Sequence, residues 1–231
     1  MLLIALFCSC SFSDDNPSIS VFTASFDFSQ SQDAWQGDFS DLPANEDDST
    51  FYELKVAYTD LPSNLGSKKS MMLSGNNHSD DLFMFMKRKI TGLIPNTRYT
   101  LVFEIELASD AAKGSVGVGG SPGESVYLKA GASEIEPTKV VQSNQYVLNV
   151  DKGNQSTSGT NAITLGDIAI PAASSGFTLI SRTNASSSTQ PFMAQTSSAG
   201  EIWVLVGTDS GFEGTTTVYY TKMNIVFSTS Y

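Results

Sequence analysis

The chain has 231 residues, 40% of them hydrophobic, which is enough for a core in one large β domain or two small ones. With 13 basic against 24 acidic side chains, a net charge of −11 and a pI near 4.4, it lacks the basic footprint that a phosphate backbone requires, so nucleic acid is not an expected partner. One histidine, His78, excludes a multi-histidine metal centre, and both cysteines fall within the first ten residues, so no disulfide is expected beyond them.

The first segment, Met1 to Cys10, is a short apolar run ending in Cys8-Ser9-Cys10 and followed by polar residues with the acidic pair Asp14-Asp15. A signal-peptide apolar region takes about 7–15 residues, whereas a membrane-spanning helix takes about 20. No Lys or Arg precedes the run. The segment resembles the end of a bacterial lipoprotein signal peptide, and the acidic pair resembles the export signal of surface lipoproteins in Bacteroidetes. The resemblance implies a shortened signal peptide over 1–10, lipidation at Cys10 in preference to Cys8 because the small Ser9 precedes it, and a tether over 11–20. It also implies an outer-membrane, surface-exposed location held by acyl chains, of which more than one is needed for stable anchoring.

From residue 20 onward, short runs with two-residue alternation are separated by turn signals, and no segment sustains a helical period over three turns. In chain order the expected strands are Ser20–Phe28, Phe51–Tyr58, Lys69–Ser74, Leu82–Ile90, Arg98–Leu107, Ser115–Val118, Ser125–Ala130, Gln145–Val150, Ala162–Ile170, Gly176–Ile180, Glu201–Thr208 and Thr215–Phe227. The clearest is Arg98–Leu107, with Tyr99, Leu101, Phe103, Ile105 and Leu107 on one face and Arg98, Thr100, Glu104 and Glu106 on the other, the pattern of a half-buried strand. The preceding strand Leu82–Ile90 is expected to pair with it, bringing Lys87 and Lys89 opposite Glu104 and Glu106. The polar stretches Asp151–Asn161 and Arg182–Gly200 read as surface loops. Ten or more strands without an internal repeat give one all-β domain over 21–231, with the signature of an antiparallel β-sandwich or a barrel.

Thr91-Gly-Leu-Ile-Pro-Asn-Thr-Arg-Tyr-Thr-Leu-Val-Phe103 resembles the strand connection of galactose-binding-like jelly rolls, a superfamily that includes many carbohydrate-binding modules. Phe26-Asp-Phe-Ser29 with Trp35 resembles their opening strand, and Thr217–Phe227 their closing strand, with Met223-Asn224 as a departure from its usual pair. The resemblance implies a jelly-roll sandwich that binds rather than catalyses, with a glycan or polysaccharide as partner. The alternatives are a structural or adhesive envelope protein that binds another protein, and a polysaccharide hydrolase.

Candidate site residues follow from side-chain chemistry. Aromatic faces stack on pyranose C–H groups while polar neighbours take the hydroxyls. Trp35, among polar residues, and Tyr127 are therefore ligand-binding candidates, with a core position the alternative for Trp35, whereas Trp203 within Ile202–Val206 is expected in the core. The polar loop holding Asn76, Asn77, His78 and Asp80 can bind a sugar or Ca²⁺ through its oxygens, although its spacing is not that of an EF-hand. Asp27, Asp209 and Glu213 are candidates for a structural Ca²⁺. No catalytic residue is assigned: paired carboxylates across a cleft cannot be singled out among 24 acids. Gly117 and Gly119 alternate with valines, so a bulge or close backbone approach is expected there.

Overall fold

The computed structural model describes residues 19–44, 48–186 and 191–229. The strands in chain order are β1 (Val21–Asp27), β2 (Gln36–Ser40), β3 (Leu42–Pro43), β4 (Lys55–Asp60), β5 (Lys69–Asn76), β6 (Leu82–Ile90), β7 (Arg98–Ser109), β8 (Val126–Ser133) and β9 (Lys139–Gln142). They continue with β10 (Gln145–Leu148), β11 (Gly153–Asn154), β12 (Thr157–Ser158), β13 (Ala162–Asp167), β14 (Thr178–Thr183), β15 (Phe192–Gln195), β16 (Ile202–Ser210) and β17 (Thr215–Ser228). One helical turn, Asp48–Phe51, and a 3₁₀ turn, Ser63–Leu65, interrupt them.

Two antiparallel sheets face each other. The first runs β14-β7-β17-β5-β4, with β1 also on β17 and β15 also on β7; the second runs β13-β8-β16-β6-β2. The core between them takes Tyr99, Leu101, Phe103, Ile105 and Leu107 from β7 and Val204 and Val206 from β16, among others. This is the expected sandwich, and the alternation of β7 is as the sequence reads. Strand β17 is long enough to serve two neighbours: Thr215–Tyr220 pairs with β5 and Lys222–Ser228 with β1. A bulge between Tyr220 and Lys222 shifts its phase. Val218 and Tyr220 before the bulge, and Met223, Ile225 and Phe227 after it, all enter the core, which an uninterrupted two-residue period would not allow.

Several expectations are corrected. Strands β6 and β7 do not pair: they lie in different sheets, β6 between β16 and β2 and β7 against β17. Lys87 and Lys89 therefore meet Glu136 at 2.7 Å and Glu201 at 2.9 Å rather than Glu104 and Glu106. Both faces of β6 and β16 are buried, because residues 134–161 fold back across the outer face of the second sheet. There Phe83, Phe85 and Leu205 form a second apolar cluster with Val150, Ala162 and Leu148. The stretch 151–161, expected as a surface loop, thus contains the buried Lys152. Trp203 points to the same outer face, half-buried, with the Lys87 and Lys89 ammoniums 5.8 and 5.5 Å from its ring, and not into the core.

Residues 115–118 form no strand; only Val118 bridges Glu213. The close approach expected there is present. A Cβ at Gly117 would overlap the Phe212 ring, and one at Gly119, where φ is 69°, would meet the Gly211 carbonyl. Gly117→Ala must displace that ring, and overpacking of this kind costs about 1–3 kcal/mol. A lowered thermal midpoint for Gly117→Ala, beside an unchanged one for Val116→Ala at a 94% exposed position, is the expected result.

Candidate functional site

The sequence candidates do not assemble into one site. Trp35 is fully buried, its ring edge-on to Phe26 at 5.3 Å and Phe28 at 6.2 Å, so it is a core residue and offers no face to a ligand. Asn77 is buried as well: its amide donates to the carbonyls of Ser210 and Phe212, tying β5 to the turn before β17. His78 is exposed and packs on the rings of Phe51 and Tyr52. Asn76 ends β5 half-buried, and Asp80 is exposed in a turn with φ of 61°. Tyr127 is half-buried on β8, opposite Asp209 and Asp167. Cys10 lies outside the described residues.

One hollow of the fold lies along the seam where edge strand β13 of the second sheet faces β14 and β15 of the first. One part, of about 770 Å³, is bordered by Ser158, Thr160, Thr183, Asn184, Phe192 and Met193. A second, of about 330 Å³, is bordered by Ser133, Glu134, Ile135, Asn161 and Gln195. The two share Arg98, Thr160 and Met193, and so form one trough. Arg98, the first residue of β7, is exposed and has no hydrogen-bond or ion-pair partner among the described residues; Met193 is 41% exposed. Hydroxyls and amides alternate with a thioether, a phenyl edge and aliphatic carbons along the trough. None of the six ligand-binding candidates borders it. In the sequence, Arg98 belongs to the polar face of β7, and only the distant strands β13 and β15 turn that face into a wall.

Beside the trough, under the 134–161 segment, lies an ionic cluster. Asp41, Asp81 and Asp209 bring carboxylate oxygens within 4.8 Å of one another. The Lys152 ammonium sits among them, 2.7 Å from Asp41 and 2.8 Å from Asp209. Lys129, fully buried, places Nζ 3.8 Å from Asp209 Oδ2 and donates to the carbonyls of Lys152 and Thr157 at 3.1 and 2.7 Å. Burial pulls the Lys129 ammonium down to about 8, helped by the charge of Lys152 and opposed by Asp209. Burial acts the same way on Lys152, but Asp209 and Asp41 outweigh it and hold that ammonium above the ordinary lysine value. Burial also raises Asp41. The cluster does not fit Ca²⁺, which takes about 6–8 oxygen ligands: two lysines stand where a cation would, and their charges already answer the carboxylates. Asp209 is thus committed to Lys152 and to the Gln155 N–H at 2.8 Å. Asp27 instead accepts from the Ser29 N–H at 2.9 Å, and Glu213 bridges Val118. The expected Asp27, Asp209 and Glu213 set is not brought together as a cation site.

No family model matches the chain, and no curated protein matches its sequence. Solved structures resemble its outline. A proposed sugar-binding protein from Bacteroides thetaiotaomicron aligns with a TM-score of 0.41 at 12% identity, over 86% of this chain and 90% of that one. A family 61 carbohydrate-binding module in complex with β-1,4-galactotriose aligns at 0.39 and 7%, over 86% and 92%. A carbohydrate-binding module that recognises mannan aligns at 0.38 and 9%, over 90% and 98%.

Burial pushes Asp81 up to about 8, with the Asp209 and Asp41 charges adding to it. In the unfolded chain an aspartate titrates near about 3.9. Between those values the folded state keeps a proton that the unfolded chain has released. The stability this proton contributes is complete below the lower value and is lost as pH rises through the upper one. Asp81→Asn, which stays neutral, should flatten the fall in denaturant midpoint across that window; profiles parallel to the native protein would show that Asp81 is not protonated.

Proposed function

We propose that this domain binds carbohydrate, without cleaving it, in the trough centred on Arg98. The observation that carries the reading is the trough's chemistry. A pyranose presents apolar C–H faces ringed by hydroxyls, and the trough sets Met193 and the Phe192 edge among Thr160, Thr183, Asn184 and Gln195, with an uncommitted guanidinium where its two parts meet. Arg98 supplies a planar fork of donors suited to adjacent sugar oxygens. The two parts, of about 770 and 330 Å³, leave room for more than one sugar unit.

The reading also includes display on the outer membrane: acyl chains on Cys10 hold the domain at the surface and residues 11–20 space it from the membrane. Labelling with a radioactive fatty acid should mark the native protein and Cys8→Ala but not Cys10→Ala; label retained in Cys10→Ala would move the anchor or remove it.

Soluble glycans and polysaccharides tested by calorimetry or on an array should include at least one ligand. Arg98→Ala combined with Met193→Ala should weaken binding at least tenfold, with the thermal midpoint unchanged because both side chains are exposed. Trp35→Phe should leave affinity intact, as the ring lies in the core. Absence of any glycan ligand would turn the search to a protein partner, and release of sugar fragments would make the domain an enzyme.

A further inference from the structure

Two buried carboxyl oxygens, Asp81 Oδ1 and Asp209 Oδ1, have no hydrogen-bond donor in the protein, in a cluster where the other contacts are short and specific. Asp81 and Asp209 bring carboxylate oxygens within 4.8 Å of each other, a spacing that burial tolerates best with a proton on one of the two. The two oxygens of Asp209 are different. Oδ2 receives the Lys152 ammonium and the Gln155 N–H, each at 2.8 Å; Oδ1 has no donor. On the Oδ2 side stands Lys129 Nζ, 3.8 Å away, with both residues fully buried. Lys129 and Asp209 lie on paired strands β8 and β16, two residues out of register on the same face, since Lys129 is opposite Gly207 and Asp209 opposite Tyr127.

We propose that Lys129 and Asp209 are joined by an intramolecular amide bond that the folded protein makes itself, with Asp81 as the proton carrier. The arrangement holds each part of that condensation. Lys129 is the lysine whose neutral amine lies within reach, because burial and Lys152 disfavour its charge. As an amine it donates its two N–H bonds to the nearer carbonyls of Lys152 and Thr157, at 3.1 and 2.7 Å, with only the Thr164 hydroxyl, at 3.4 Å, beside the lone pair. Lys152 lies nearer to Asp209 but is held as an ammonium between two carboxylates, so it is no nucleophile. Its place is that of a charge clamp. With the Gln155 N–H it faces the oxygen on which negative charge develops when a carboxyl carbon becomes tetrahedral.

The proton given up by the Lys129 ammonium passes to the Asp81–Asp209 pair, so Asp209 is attacked as a carboxylic acid. The Nζ–Cγ bond forms and the Cγ–Oδ1 bond breaks. Oδ1 takes a proton from Asp81 and departs as water, and Asp81 regains a proton from the nitrogen. Ammonium plus carboxylate become amide plus water, with no oxidant or co-reactant. The cluster is neutral before and after: Lys129 and Asp209 cancel at the start and vanish together, and Lys152 with Asp41 still cancel at the end. Burial drives the condensation, because it removes two ions from a site where charge is costly. Proximity replaces activation: Lys129 Nζ already stands 3.8 Å from Asp209 Oδ2, and closing on Cγ to the about 3–3.5 Å of a near-attack arrangement takes only a side-chain shift.

The test is peptide mapping of the full chain. Trypsin should yield a branched peptide joining residues 114–139 to 183–222, lighter than the sum of its parts by one water and uncut after Lys129. Asp81→Asn should fold, by circular dichroism, and remain unlinked; Lys129→Met should also be unlinked. Recovery of separate 114–129 and 183–222 peptides from the native protein, persisting after prolonged incubation at mildly alkaline pH, would overturn the proposal. A linked Asp81→Asn would remove Asp81 from it. The native digest decides the bond even if a variant fails to fold.

Discussion

The outer face of the second sheet is held by two ammonium groups taken out of water. Removing a charge from solvent costs several kcal/mol even after relaxation, by about the amount that close, well-formed pairing returns. Here Lys152 is paired twice, with Asp41 from the turn after β2 and Asp209 from β16, while Lys129 reaches the carbonyls of the 151–158 hairpin. Three segments far apart in sequence are thereby fixed to one another. An apolar cluster around Phe83, Phe85 and Leu205 packs beside them, with the Lys152 ammonium 4.9 Å from the Phe83 ring.

The trough depends on the same attachment. Thr157 accepts from Lys129, and its neighbours Ser158 and Thr160 line the trough wall. Asp151 holds that wall from the other side, accepting from the Thr160 N–H at 2.8 Å and its hydroxyl at 3.0 Å, contacts that keep the Asp151 carboxyl below the ordinary aspartate value. The opposite wall, β14 and β15, is built on β7, which carries Arg98 at its start. A rigid wall matters for recognition, since positioning polar groups before the ligand arrives reduces the entropy lost on binding.

Much of the sandwich was legible. Period-two alternation located β1, β5, β6, β7, β8, β16 and β17 to within a few residues, because each has at least one face in the main core. The missed strands β2, β3, β9, β11, β12 and β15 are short, and their neighbours in space, not their own patterns, make them strands. A local rule misplaced Trp203 and left Trp35 open between core and ligand face. A tryptophan in an apolar run was read as core and one in a polar run as a candidate surface, yet the first faces outward beneath two lysines and the second fills the centre against Phe26 and Phe28. Sidedness depends on strand phase and on what covers the sheet, and neither is a local property.

Local alternation and composition were enough for the all-β class, the positions of the main strands and the acidic balance, because none of these depends on what packs against what. The tertiary structure alone decided that the polar faces of β8 and β16 are interior, since the segment that covers them joins through side chains more than twenty residues away. It also decided that Arg98 opens into a trough, because the trough walls come from strands separated by most of the chain. The phase shift in β17 at Tyr220 belongs there too: a bulge is a property of a pair of strands, and it alone brings Tyr220 and Met223 to the same side.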